Sequence, residues 1–314
     1  MPGGEGGHRT ISLLITGGEP MLRPDFCQIW EGIYQQGFLI TLYTNATLVT
    51  PAVMETLRRY PPHKIGVTIY GATPETYGKV CGDPSAFQKA IDGMAQLQSL
   101  PSALEFRTTI IKDNYPEAAD IERLVHERFG AQYKLIQTRS VTKAVRGACA
   151  DVAACRLEPE DNVRLAFRRG IEIIKDAVGA SYDERNLYVE HIERSPEKTY
   201  APRLTLFGCN AGMRDYTVSW DGKLLGCQMM GNFAVDTLEA GFQSAWDRFP
   251  SVVHLPPVNE TCLACAHRDL CNSCYASRYA ETGDLGGRPE YVCRDAEIVS
   301  QLLRRKKHEQ HHDI

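Results

Sequence analysis

No apolar run in the 314-residue chain approaches the roughly 20 residues needed to cross a bilayer, and Met1 to Gly7 lack the basic and apolar blocks of a secretory leader. These absences read as a cytoplasmic protein with no membrane partner. Positive charge is not in excess either: 35 Lys and Arg stand against 39 Asp and Glu, a formal net charge of -4, so the basic stripe of a nucleic-acid binder is missing. The short run Arg304, Arg305, Lys306, Lys307 reads as the solvated end of a helix. No internal repeat or low-complexity tract interrupts the chain. What is present, 43% hydrophobic and 24% charged residues, is the composition of a globular protein whose length allows one or two domains.

Cysteine is the residue in unusual supply. Of eleven, seven fall between Cys209 and Cys293, while Cys27, Cys81, Cys149 and Cys155 are scattered before them. Without a secretory leader a disulfide framework is a poor account of the clustering, and metal ligation is the better one. The seven follow a definite order: Cys209, twelve residues, Gly222, four residues, Cys227, a gap, Cys262-x2-Cys265-x5-Cys271-x2-Cys274, then Cys293. Thiolates a few residues apart can converge on one centre, and four suffice for a [4Fe-4S] cluster or a zinc ion. Zinc in a knot formed by the two CxxC pairs would leave Cys209, Cys227 and Cys293 as buried thiols. Between Cys209 and Cys227, Tyr216 to Ser219 and Gly222 to Leu225 read as two short strands about Asp221-Gly222, a hairpin signal.

The first half alternates short apolar segments with helical patterns. Ile11 to Ile15, Leu39 to Tyr43, Ile65 to Tyr70, Leu104 to Ile111 and Tyr133 to Gln137 read as strands. A helix after Pro24 gathers Phe26, Ile29, Trp30 and Ile33 on one face and stops at Gly37; Pro51 sits just inside the next helix after Thr50. Phe87, Ala90, Ile91, Met94 and Leu97 form a further stripe. Four βα units before a fifth strand imply right-handed crossovers and a parallel α/β sheet or incomplete (β/α) barrel, with functional groups at the C-terminal ends of the strands. A helix from about Pro159 to Val178, carrying Val163, Phe167, Ile171 and Ile174, is expected to pack against that sheet. The expected domains are residues 1–190, then a cysteine-rich domain at 204–300 and a charged tail at 301–314, with the boundary inside Gly179 to Arg203.

The first strand runs into Thr16-Gly17-Gly18-Glu19-Pro20. Two glycines at a strand end let backbone approach a ligand, and Pro20 fixes the turn so that Glu19 can project and pair with an ammonium group. Leu14 to Pro20, followed by Met21-Leu22-Arg23-Pro24, closely resembles the motif of radical S-adenosylmethionine (SAM) enzymes that binds the amino group of SAM. Tyr43-Thr44-Asn45-Ala46 and Val67-Thr68-Ile69-Tyr70-Gly71 resemble the two following strand ends of that family, and Lys79 is the nearest candidate for its SAM-carboxylate contact. The resemblance implies Gly17, Gly18, Glu19, Pro20, Asn45 and Thr68 as SAM-binding residues. The Asn45-Ala46-Thr47 sequon has no role in a cytoplasmic protein.

The C-terminal spacing resembles the SPASM domain, which typically binds two auxiliary [4Fe-4S] clusters. Carried over position by position, Cys262, Cys265, Cys271 and Cys293 would hold one, and Cys209, Cys227 and Cys274 the other. The second set is one ligand short: Tyr200 to Gly208 contains no cysteine, which leaves an open site or a distant Cys149 or Cys155. The last CxxC also has one spacer residue fewer than the common pattern. His267, between Cys265 and Cys271, reads as a neighbour of the metal rather than a ligand.

The Cys-x3-Cys-x2-Cys triad that holds this family's catalytic cluster is absent from the sequence, and no catalytic side chain is assigned. An N-terminally truncated chain or a mis-assigned start, inactive as written, is the expectation. The resemblance implies an iron-sulfur oxidoreductase-type maturase that modifies a peptide or protein through a 5′-deoxyadenosyl radical, with a reductant such as flavodoxin or ferredoxin. Gln228 stands where sulfatase maturases of this family carry a catalytic aspartate, which argues against a sulfatase substrate. A non-catalytic iron-sulfur electron-transfer or binding protein and a zinc-knot interaction module are the alternatives.

Overall fold

The computed structural model describes residues 10–143, 151–183, 207, 209–239 and 241–308. Met1 to Gly7, Cys149, most of the segment 179–203 expected to hold the domain boundary (184–203), and Gly208 lie outside the described residues. The chain packs into two compact units, Met1–Val141 and Thr142–Ile314. Among the described residues no helix is long and apolar enough to cross a membrane.

In the first unit β1 (Ser12–Ile15), β2 (Leu39–Thr44), β3 (Lys64–Thr68), β4 (Ala103–Thr109) and β5 (Leu135–Thr138) form one sheet in the order β1-β2-β3-β4-β5. Every neighbouring pair is parallel. The intervening helices are α1 (Phe26–Gln35), α2 (Pro51–Arg59), α3 (Pro74–Cys81), α4 (Ala86–Gln98) and α5 (Ala118–Phe129). Their starts follow from local chemistry. Thr50 Oγ1 accepts from the Val53 N–H (3.3 Å) with Pro51 opening α2, and Thr73 Oγ1 accepts from the Thr76 N–H (3.2 Å) with Pro74 opening α3. Gly82, at φ +76°, ends α3 in a backbone region that side chains avoid.

The sheet has unlike faces. Ile40, Leu42, Ile65, Val67 and Phe106 alternate onto one side and are buried with Trp30, Leu57, Met94, Ile121 and Val125 from the helices. Each such side chain contributes about 1.5–3 kcal/mol. Tyr43, Lys64, Gly66, Glu105 and Arg107 share the other face in the strand register, where Lys64 Nζ meets Glu105 Oε1 at 2.8 Å and Arg107 lies 4.7 Å over the Tyr43 ring. This alternation is that of a sheet covered by helices on one side, with a polar face left for the interior of a partial barrel. A Cβ on Gly66 would stand 2.7 Å from the Tyr43 ring, so the glycine makes room for that aromatic.

One contact ties the core to a strand-end loop. Gly93 of α4 faces the Ala46 carbonyl so closely that a Cβ would meet its oxygen at 1.9 Å, and buried Ala46 is held at φ +60°. Gly93→Ala gains helix propensity of about 1 kcal/mol yet forces backbone apart. It is expected to lose a net 1–3 kcal/mol, roughly the cost of overpacking, in a urea titration.

The second unit begins with α6 (Val152–Cys155) and α7 (Pro159–Val178) and continues with an antiparallel sheet of β6 (Thr217–Val218), β7 (Lys223–Leu225) and β8 (Ala234–Asp236). The hairpin at Asp221-Gly222 is present, with Gly222 at φ +75°. Then follow α8 (Gly241–Val252), α9 (Glu260–Leu263), α10 (Tyr275–Thr282) and α11 (Glu290–His308). Phe207, Leu224, Met230, Phe233, Val235, Phe249 and Ala276 make its core.

Within the second unit helix α7 packs along α11: Asn162 Nδ2 donates to Asp295 Oδ2 (2.9 Å), Arg294 pairs with Glu160 (2.7 Å), and the Tyr291 hydroxyl donates to the Leu157 carbonyl (2.9 Å). Of the expected stripe Val163 is buried and Phe167, Ile171 and Ile174 are half-buried, while Leu165, outside the stripe, is buried as well; an amphipathic pattern says that a face is covered and not by what. The stretch expected as a tail from residue 301 is helical to His308, the end of α11.

Candidate functional site

At the end of β1 the chain enters an exposed Thr16-Gly17-Gly18 segment in which a Cβ on either glycine would meet nothing within 4 Å. Gly17 lies at φ +152°, which favours glycine. Glu19 follows, half-buried, and Pro20 opens a one-turn 3-10 helix at Pro20–Leu22. The Glu19 carboxylate is fixed by the chain itself. Met21 N–H donates to Oε1 (3.1 Å), Asn45 N–H donates to Oε2 (2.8 Å), and the Thr44 hydroxyl donates between both oxygens (2.8 and 2.9 Å). Thr44 Oγ1 in turn accepts from the Ala46 N–H (2.9 Å). A carboxylate offers about four acceptor positions, so three donors leave one for an incoming cation.

Thr44 was not singled out by sequence, although it stands inside the Tyr43-Thr44-Asn45-Ala46 motif. It is the residue whose hydroxyl reaches Glu19, while Asn45 contributes its backbone N–H. The Asn45 side chain is spent on its own turn, with Oδ1 accepting from the Thr47 N–H (2.9 Å) and Thr47 hydroxyl (2.7 Å). Thr68 ends β3 on the helix-free face as the register partner of Arg107 and makes no hydrogen bond to the Glu19 turn among the described residues. Tyr70, two residues on, is nearer in effect: burial first, then electrostatic coupling to Cys81 and Glu19, push its phenol up. Lys79 pairs with Glu75 at 2.7 Å on an exposed face of α3.

Two anchors, buried Asn114 and half-buried Glu117, hold these strand ends. Asn114 Nδ2 donates to the Tyr70 (2.9 Å) and Thr109 (3.0 Å) carbonyls, and its Oδ1 accepts from the Ile111 N–H (2.8 Å). Glu117 accepts from the Ala72 N–H (2.8 Å) and from the Thr73 (3.0 Å) and Thr76 (2.7 Å) hydroxyls, fastening the loop after β3.

The second constellation lies in the cysteine-rich unit. Cys262 on α9, Cys265 just beyond it, Cys271 after the 3-10 turn at Arg268–Leu270, and Cys293 in the first turns of α11 all line one cavity of about 320 Å³. The His267 N–H donates to Cys265 Sγ (3.4 Å), and the Arg288 guanidinium bonds Cys293 and lies in the field of Cys265 and Cys262, which raises its pKa. His267 lines the cavity with a buried Nδ1 that has no hydrogen-bond partner among the described residues. None of these four cysteines is in a disulfide.

Cys274 stands apart from that cavity. Its Sγ accepts from the Ser277 N–H (3.4 Å) and caps α10, while Ser277 Oγ accepts from the Cys274 N–H (2.8 Å). Cys209 and Cys274 are exposed, and Cys227 is half-buried. Burial raises the Cys227 thiol, with further contributions from Cys274 and Cys209, so these three are electrostatic neighbours. Cys155 is bound locally, its thiol donating to the Val152 carbonyl (3.6 Å). Among the described residues no three His, Cys, Asp or Glu side chains converge tightly enough for a single metal ion.

Residues 5–125 match the family profile of the Radical SAM superfamily. The chain is 27% identical over 283 residues to the AdoMet-dependent heme synthase of Methanosarcina barkeri (strain Fusaro / DSM 804), covering 87% of this chain and 79% of that protein. Its fold is similar to that of Streptococcus suis SuiB bound to its precursor peptide SuiA, with a TM-score of 0.60 and 16% identity, covering 90% of this chain but only 65% of SuiB. Similar too is anSMEcpe with bound AdoMet and the Kp18Cys peptide, with a TM-score of 0.61 and 14% identity, covering 94% of this chain and 84% of that one.

Proposed function

Taking as premise that the chain carries a radical SAM domain over residues 5–125, we propose that it is the SAM-binding and auxiliary-cluster scaffold of a cytoplasmic radical SAM/SPASM enzyme that modifies a peptide or protein. The observation that carries the reading is the convergence of four thiols from three separated segments, Cys262 with Cys265, Cys271, and Cys293, on one cavity. Their number and softness suit a [4Fe-4S] core. When bound, such a core supplies one-electron transfer. Cys209, Cys227 and Cys274 supply three thiols of a second site.

In the first unit the chain's own residues prepare a SAM site. The open Gly17-Gly18 backbone admits the ligand, and Glu19 keeps one acceptor position for the ligand's ammonium group. Thr44 and the Asn45 N–H hold that carboxylate in place before the ligand arrives, which lowers the ordering cost of binding. The residues do not fit the catalytic cluster: the 314 residues contain no Cys-x3-Cys-x2-Cys, and no step is assigned to that cluster here.

Peptide-bound relatives of the same fold support the substrate class. A second reading, a carboxylate-bearing tetrapyrrole, is favoured by the 27% identity to a heme synthase along most of the chain. The test is anaerobic reconstitution, reduction by dithionite or flavodoxin, and incubation with SAM. A reading frame that supplies the triad should release 5′-deoxyadenosine, and residues 1–314 alone should release none. A triad-bearing form that releases none overturns the enzyme reading in favour of a non-catalytic iron-sulfur protein. Mass shifts in a candidate substrate peptide, against those in a porphyrin, separate the two substrates.

A further inference from the structure

The cavity of the four thiols has walls of one charge. Arg268, Arg278 and Arg288 line it together with the sulfurs, and no carboxylate does. Arg278 is the exceptional member. It is 4% exposed, and its Nε and Nη1 are buried with no hydrogen-bond partner among the described residues. Only Nη2 finds an acceptor, Ser273 Oγ, at a long 3.4 Å. No carboxylate pairs with it among the described residues. A buried guanidinium without an anion costs several kcal/mol, and a fold retains one where something negative compensates it.

We propose that Arg278, with Arg288 at the more exposed side of the cavity, is the counter-charge and hydrogen-bond donor of the group held by Cys262, Cys265, Cys271 and Cys293, and that it raises that group's reduction potential. The inference rests on the iron-sulfur reading above. A four-iron core with four thiolates is an anion that becomes more negative on reduction, so a fixed positive charge beside it favours the reduced form. Donors aimed at the sulfurs act in the same direction. Arg278 is thereby a positioning and potential-setting residue rather than a ligand. The arrangement also gives the two sets of thiols different surroundings: Cys274 caps a helix on an exposed surface, while the first set faces guanidinium groups.

The experiment is an EPR-monitored redox titration of reconstituted protein in a Cys209→Ala/Cys227→Ala background, so that a single cluster reports. Arg278→Gln should lower the reduced-to-oxidised ratio at fixed applied potential at least tenfold, a shift of about 59 mV for a one-electron couple. Arg278→Lys should restore much of it, and Arg288→Gln should shift it the same way by less. Iron lost from a folded Arg278→Gln protein and regained in Arg278→Lys supports the same assignment. If Arg278→Gln does not fold, the exposed Arg288 decides, and an unchanged potential in Arg288→Gln overturns the proposal. So does an unchanged potential in Arg278→Gln. Wild-type protein that takes up no iron and sulfide fails the underlying cluster reading instead, which keeps the two failures distinct.

Discussion

Glu19→Gln is expected to weaken SAM binding to the folded chain by roughly 30-fold, as read by calorimetry or equilibrium dialysis. The side chain keeps its size, and one oxygen can still accept from Met21 N–H or the Thr44 hydroxyl. What disappears is the negative charge facing an ammonium group, and with it one acceptor for the Asn45 N–H. Losing one partner of a hydrogen-bonded charge pair costs about 2–5 kcal/mol. The half-buried position of Glu19 points to the lower end, about 2 kcal/mol, which is that factor of thirty. Affinity equal to wild type would mean that the glycine turn is structural and the ligand sits elsewhere.

Cys293→Ala should remove an entire cluster, about four irons per chain, rather than weaken it by degrees. Cys293 lies far along the chain from the other three thiols, yet it shares their cavity, and without it the site has three sulfurs. Cys274→Ala provides the contrast, because Cys274 does not line that cavity and caps α10 instead. Its loss should leave the iron of the first cavity in place. In a Cys209→Ala/Cys227→Ala background, where only the first cavity holds iron, equal iron loss from both variants would contradict the division of the cysteines into two sets. Colorimetric iron and sulfide determination on anaerobic protein reads both.

Much of the fold was legible because the deciding interactions are local. Thr50 before Pro51 and the stripe through Ala90, Met94 and Leu97 each report on neighbours within one helix, and the structure places α2 and α4 there. The parallel sheet followed from the regular alternation of strand and helix. Its one-sided cover was also written in Tyr43, Lys64, Glu105 and Arg107, whose alternation with buried residues marks a polar face. What could not be read were meetings between distant segments. The Thr44 hydroxyl reaches Glu19 across 25 positions, and α7 finds α11 across more than a hundred. Nothing in either segment's own pattern names its partner.

The cysteine cavity was legible for a different reason. Metal ligands must converge, so their spacing carries long-range information that apolar patterns lack. The resemblance implies that Cys262, Cys265, Cys271 and Cys293 form one set apart from Cys274; these four line one cavity, and Cys274 is not in its lining. Arg278, by contrast, looks like any solvated arginine on a helix until its burial is known. Sequence position gave no hint of its missing partners.

Iron, sulfide and zinc content of the wild-type chain, purified and reconstituted without oxygen, tests the account most directly. The account predicts at least about four irons and an equal amount of sulfide per chain, with the broad brown absorbance of iron-sulfur clusters. One zinc per chain, with no sulfide and no visible absorbance, would contradict it.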